Sequence, residues 1–197
     1  MELNGTPNEV RMIDCGQLER QLVRSAGENF PFPDAHFESA VGMWVLDHVE
    51  NTTKTLEEFV RIVDKSAPQP RIMILQGAPW NEIVRFQNAI CAPLGKNRKT
   101  KSHQGYLLDT AMRVFSTHGF SHITLKPISM HCSFMEECLT ERCSKAAEVL
   151  VNLWYHGDPN QERMKESLIP QLQLHFKDKP HEVGYDMILL VAEPSVA

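Results

Sequence analysis

Glu28-Asn-Phe-Pro-Phe-Pro-Asp-Ala-His-Phe-Glu-Ser-Ala-Val-Gly-Met-Trp-Val-Leu-Asp-His-Val49 joins a proline-fixed turn to an apolar run that ends in a polar pair. From Phe37 to Leu46 the run is almost continuously apolar, the pattern of a strand covered on both faces of a parallel α/β sheet. Asp47 and His48 follow where that strand would end. Ligands of open α/β sheets bind at such carboxyl ends, so this exit is the first place to look for a site.

Downstream, Asn51-Thr-Thr supplies a helix cap, and Leu56, Phe59, Val60 and Val63 recur at the spacing of one helix face. Ser66-Ala-Pro-Gln-Pro stops that helix, because proline cannot continue it, and Arg71 to Gln76 reads as a second buried strand. A parallel strand-helix-strand unit with a right-handed crossover is expected. Glu82 to Ile90 reads as a short helix, followed by the basic loop Lys96 to Lys101. Leu107, Leu108, Ala111, Met112 and Phe115 space as another helix closed by Gly119, and His122 to Ile128 alternates as a strand. Two more helical patterns run through Leu139 to Trp154 and Met164 to Phe176, and Gly184 to Glu193 reads as the last strand.

A chain of 197 residues, 42% hydrophobic and 23% charged, suits one soluble domain with a real core. Its formal charge of -5 argues against a nucleic-acid backbone as partner, since phosphate binding needs a concentrated positive face. No long apolar run suggests a membrane span, and the polar N-terminus does not read as a signal peptide, so a cytoplasmic location is expected. Five cysteines at irregular spacing argue against a disulfide framework. Cys138 and Cys143 near His131 do not converge two sulfurs on one metal from helical positions five apart, so buried thiols and no metal are expected.

The stretch from Glu28 to Val49 resembles the fourth-strand region of class I S-adenosylmethionine-dependent methyltransferases of the small-molecule kind, the UbiE and trans-aconitate-methyltransferase type. The pattern there reads roughly D-A-E-x-L-P-F-P-D-x-x-F-D, then a strand and H-H. The layout of later elements agrees, so the resemblance covers about Ser25 to Ala197. It implies an α/β fold, a Rossmann-like methyltransferase sheet, and an S-adenosyl-L-methionine cofactor. Met43 and Trp44 would line the cofactor pocket, and His48 would face substrate. His48, with Asp47, is the natural general base for deprotonating an acceptor; alternatively, Asp47 caps the next helix and His48 packs beneath it. From its place after the second strand, Trp80 either shapes the substrate pocket or packs as core or lid; Trp154, His131 and His156 belong to the roof, where they would face the substrate.

The resemblance fails at the front. The family begins with a strand, a D-x-G-x-G turn, a helix and a second strand ending in an acid that holds the ribose. Only Val10-Arg-Met-Ile-Asp-Cys-Gly16 remains to supply it, with Asp14 and Gly16 at the glycine-turn positions or Asp14 as the ribose acid. Leu18 stands where the second motif glycine belongs. The family's D-A-E aligns with Ala26-Gly27-Glu28, so the acid that would meet the adenine amino group is replaced by Ala26, leaving the Gly27 backbone and Glu28 as contacts.

The expectation is thus a single domain whose sheet lacks most of its N-terminal half: residues 1–24 a remnant of the cofactor-binding front, 25–130 the sheet core, 131–180 a helical insertion roofing the substrate, and 181–197 the final strand. Without the central strand, the Val41 to Leu46 strand has a bare apolar edge, which proteins avoid. The segment around Val10 to Ile13, or a second chain in a homodimer, would cover it. Methyl transfer to a small organic molecule is the leading function. The alternative is a methyltransferase-like pseudoenzyme, a partner subunit, or a cofactor-independent isomerase or cyclase on the same fold.

Overall fold

The computed structural model describes residues 10–14, 19–96 and 104–195. The chain forms two compact units, one of Met1–Ile74, Leu108–Thr124 and Leu190–Ala197, the other of Leu75–Leu107 and Leu125–Leu189. Strands β1 (Val10–Asp14) and β2 (Glu19–Val23) make an antiparallel ribbon. A four-stranded sheet has the order β3 (Ser39–Met43), β4 (Arg71–Gly77), β8 (Met187–Glu193), β5 (His122–Ile128). A third, two-stranded sheet pairs β6 (His131–Ser133) with β7 (Glu182–Gly184). Among the described residues β1 therefore pairs with β2 and not with β3, so of the two expected covers of the β3 edge the Val10 to Ile13 segment does not supply the strand pairing.

In the first unit, helix α1 (Thr52–Ile62) begins at Asn51, whose side chain accepts the Lys54 N–H at 3.0 Å. Its apolar face buries Leu56, Phe59, Val60 and Ile62 beside Ile72 and Ile74 of β4. The segment from Glu28 to Phe37 runs the length of this helix. At one end the Glu28 carboxylate takes the N–H groups of Glu50 and Asn51. In the middle, Arg61 donates to the carbonyls of Phe30 and Phe32 and to Asp34, while Glu58 accepts the Phe30 N–H at 2.7 Å. At the other end the N–H groups of Ala35, His36 and Phe37 satisfy the Arg61 and Ile62 carbonyls that the helix terminus leaves open. The proline-fixed turn is thus held by one helix.

β3 differs from its reading in length and burial. The strand stops at Met43, because Trp44 takes a left-handed φ of 50°, and Val45 to His48 closes a turn through the His48 N–H and the Val45 carbonyl at 3.0 Å. Leu46 buries itself from that turn and not from a strand. Only Gly42 of β3 is buried; Val41 is 56% and Met43 65% exposed, as befits an edge strand and not one covered on both faces. Gly42 lies close against the core: a Cβ there would meet Ile74 Cδ1 at 2.9 Å and Phe59 Cζ at 3.0 Å, and those side-chain tips would have to shift.

Helix α4 (Gln104–Thr117), which follows the short helices α2 (Glu82–Phe86) and α3 (Ala92–Leu94), ends as its sequence indicates. Gly119 takes φ 86°, and the Phe120 N–H reaches the Phe115 carbonyl while the Gly119 N–H reaches that of Ser116. That pairing is the Schellman arrangement, with Phe115 and Phe120 both fully buried. β5 carries Pro127, and its edge position explains why a residue without an N–H is tolerated there.

In the second unit, α2 (Glu82–Phe86) passes through a π-helical turn (Gln87–Cys91) into α3 (Ala92–Leu94), so the Glu82 to Ile90 reading was too short. The buried Gln87 side chain of that turn donates to the Leu150 carbonyl. Helices α5 (Leu139–Tyr155) and α6 (Gln161–Asp178) pack through Ala146, Ala147, Leu150, Met164, Leu168 and Leu172, all fully buried. They spring from the β6–β7 ribbon, which the sequence reading missed. The buried Arg142 ties α5 to the surrounding chain by donating to the Glu136 and Pro180 carbonyls. The single strand expected from Gly184 to Glu193 is broken at Tyr185 and Asp186 into β7 and β8. Cys91 and Cys143 are buried as expected, but Cys138 is exposed. Among the described residues no helix is long and apolar enough to cross a membrane.

Candidate functional site

β3 runs back along α1 to the end where that helix begins, so its carboxyl end, the turn after it and Glu28 gather at one place in the first unit. There the structure sets Gly27 against Val49 and Glu28 against Glu50 and Asn51, one to a few residues along the chain from the turn that carries Trp44, Asp47 and His48. Glu28 Oε1 lies 2.8 Å from the Glu50 N and 2.9 Å from the Asn51 N. The Asn51 N–H above all, with the Glu50 N–H, holds this carboxyl below the ordinary carboxylate range. A negative group at the start of a helix also complements its dipole. Trp44, half-buried, sits in a backbone region that costs a bulky residue roughly 1–3 kcal/mol, and such strain clusters at functional sites. His48 is exposed and Asp47 half-buried on the same turn, and Asn51, not Asp47, caps α1.

Gly27 serves packing. A Cβ there would stand 2.7 Å from Val49 Cγ1 and 3.1 Å from Thr55 Oγ1, so the space a side chain needs is filled by the protein itself. Thr55 is fully buried, and its hydroxyl has no hydrogen-bond partner among the described residues. For an S-adenosylmethionine cofactor, Met43 and Trp44 are apolar side chains left at least partly exposed, of the kind an adenine face packs against. The polar contacts fit less well, because Ala26 offers no acceptor and Glu28 is already bound to backbone. Of the remaining polar candidates, Asp14 ends β1 and Gly16 lies outside the described residues.

In the second unit, Trp80 follows the carboxyl end of β4. It is 56% exposed, and its indole donates to Asp186 Oδ2 at 3.0 Å. Asn81 caps α2 by accepting the Val84 N–H and donates to the Asp186 carbonyl at 2.8 Å. The Ala78 N–H reaches the same carbonyl, and the Met130 N–H reaches Asp186 Oδ1 at 3.2 Å. Asp186 is thus a junction of three chain segments that no motif marked. Its only sequence signal is a carboxylate placed directly before a strand. Trp154 is half-buried against the α5–α6 core. Elsewhere in this unit, Glu82 binds the Gly184 N–H at 2.7 Å and the Lys179 ammonium at 2.9 Å, joining α2, β7 and α6. Burial pushes the Glu82 carboxyl up, but the Gly184 N–H and Lys179 outweigh it and bring it below its ordinary value.

A methyltransferase-domain family model matches residues 6–67, about a third of the chain and the part that holds the β3 exit. No curated protein matches the sequence. Among solved structures, the YcgJ protein from Bacillus subtilis superimposes with a TM-score of 0.51 at 12% identity, over 87% of this chain and 70% of that one. A candidate methyltransferase from Bacillus halodurans C-125 gives 0.45 at 14% identity, over 88% and 71%. The chain thus resembles the class I S-adenosylmethionine-dependent methyltransferases in sequence over residues 6–67, and it shares their Rossmann-like α/β fold.

Proposed function

We propose that this protein transfers a methyl group from S-adenosylmethionine to a small organic molecule. What supports the reading is the β3 exit with its strained Trp44 and exposed Met43, followed in the chain by the helix start that Glu28 ties, all inside the segment that matches the family model. In this reading Met43 and Trp44 hold the adenine, the Gly27 and Glu28 turn fixes the loop that carries them, and Asp14 and Gly16 take the polar end of the cofactor. Bound there, the cofactor supplies a sulfonium methyl that is open to in-line displacement. His48, with Asp47 beside it, accepts the proton that the acceptor atom releases, and its exposure leaves it free to exchange that proton with solvent. Trp80 and Trp154 are the proposed substrate contacts.

A second reading is favoured by the state of Glu28 and Gly27, which are both committed to the fold. In it the protein keeps the architecture without the cofactor, as a partner subunit or a cofactor-independent isomerase or cyclase. A second copy of the chain adding a strand to the β3 edge is part of the proposal under either reading. It is supported by exposed Val41 and Met43 and by the adjoining apolar groove of about 270 Å³ between Phe30, Phe37 and Phe59. Calorimetric titration with S-adenosylmethionine, with the oligomeric state followed by sedimentation, tests the two readings. Saturable micromolar binding supports methyl transfer, and no binding at millimolar cofactor supports the second.

A further inference from the structure

We propose that Trp80, Met130 and Asp186 form a binding subsite for an alkylammonium group. Among the described residues the carboxylate of Asp186 accepts from two neutral donors, the Trp80 indole N–H at Oδ2 and the Met130 N–H at Oδ1. Among the described residues no lysine, arginine or histidine forms an ion pair with it. The carboxylate thus meets no described cation, and it lies against an indole that is 56% exposed and the backbone of a methionine that is 42% exposed. An aromatic face attracts a cation through its quadrupole, and a thioether is a soft, polarisable contact for methyl groups. A carboxylate at the indole edge adds a negative potential that a cation over the ring would share.

The arrangement is also rigid, as a subsite must be. The Asp186 backbone is fixed at its carbonyl by the Ala78 N–H and the Asn81 amide, and its carboxylate is held by the Trp80 indole and the Met130 N–H. The indole is held in turn by that carboxylate. It lies just past the carboxyl end of β4, the side on which open α/β sheets take ligands. The ligand class is a protonated or quaternary alkylamine. A protonated amine would serve as methyl acceptor only after giving up its proton, and a quaternary one corresponds to the product; that role rests on the function proposed above, and the binding does not.

The chain has three tryptophans, so Trp80 emission can be separated from that of Trp44 and Trp154 with Trp80→Phe. The probe is choline, set against its uncharged carbon isostere dimethylbutanol and titrated without S-adenosylmethionine, so the outcome is independent of cofactor binding. The expected result is saturable quenching by choline that disappears in Trp80→Phe, with the isostere binding about tenfold more weakly. Asp186→Asn should erase that preference while circular dichroism shows the fold retained. Equal binding of the two probes, quenching that persists in Trp80→Phe, or no saturable quenching by choline would overturn the proposal. Should Asp186→Asn fail to fold, the comparison of the two probes on the unaltered protein still decides it.

Discussion

The Glu28 carboxylate accepts the backbone N–H of Asn51 at 2.9 Å, twenty-three residues further along the chain. That bond ties the turn before the proline-rich stretch to the start of α1, at the end of the unit where β3 emerges. It makes the geometry of the candidate site depend on an ionised carboxylate.

Stability should therefore fall in acid. Glu28 is held below its ordinary value of 4.5 by the Asn51 N–H, and Glu58 below the same value by the hydrogen bond from Arg61. A carboxyl whose folded pKa is depressed contributes stability above the unfolded value and loses it as pH falls through the folded one. The melting temperature should thus be level above about pH 5 and drop below 4.5. Glu28→Gln and Glu58→Gln should each flatten that acid limb, as read by thermal melts across the pH series. An unchanged limb in both variants would contradict the account of these bonds.

Arg61 should prove hard to replace. Its guanidinium serves two carbonyls and two carboxylates, with 2.8 Å to the Phe32 carbonyl and 2.7 Å to Asp34. Arg61→Met leaves those carbonyls and Glu58 without their donor and should cost about 1–3 kcal/mol in denaturant melts. Lysine lacks the fork and should recover little of the loss. Full recovery by Arg61→Lys would mean that charge alone, and not the clasp, holds the turn.

Gly27→Ala should destabilise by about 1–3 kcal/mol, the usual cost of overpacking, because its Cβ would lie 2.7 Å from Val49 Cγ1. If the cofactor approached Gly27 directly, the same substitution would instead spare stability and weaken cofactor binding. Chemical denaturation and calorimetry on one preparation tell the two apart.

His48→Ala should lower kcat by about 10²–10⁴-fold if the imidazole accepts the acceptor's proton, and leave cofactor affinity unchanged. Because His48 is exposed, stability should stay within roughly half a kcal/mol. A variant with full kcat would remove His48 from the mechanism and leave Asp47 as the remaining base.

Much of this architecture is legible in the chain. α1 announces itself by its apolar period and by Asn51, and α4 by the glycine that its Schellman end requires. The end of β3 is not legible, because Val45 and Leu46 continue the apolar run while a left-handed Trp44 turns the backbone. β6 and β7 are three residues each, too short to show alternation. The Arg61 clasp is invisible for another reason: apart from Glu58, its partners lie 27 to 31 residues back, and only the folded turn brings them to one guanidinium. At the site, the residues beside the β3 exit could be named from the sequence, whereas Asp186 could not. Its partners Trp80 and Met130 are 106 and 56 residues distant, and nothing local sets it apart.

The most direct test of the β3 exit as a cofactor site is hydrogen–deuterium exchange with and without S-adenosylhomocysteine. The account predicts slowed exchange in residues 26–29 and 43–51, with α6 unchanged. Unaltered exchange in both segments at saturating ligand, or protection elsewhere only, would contradict it.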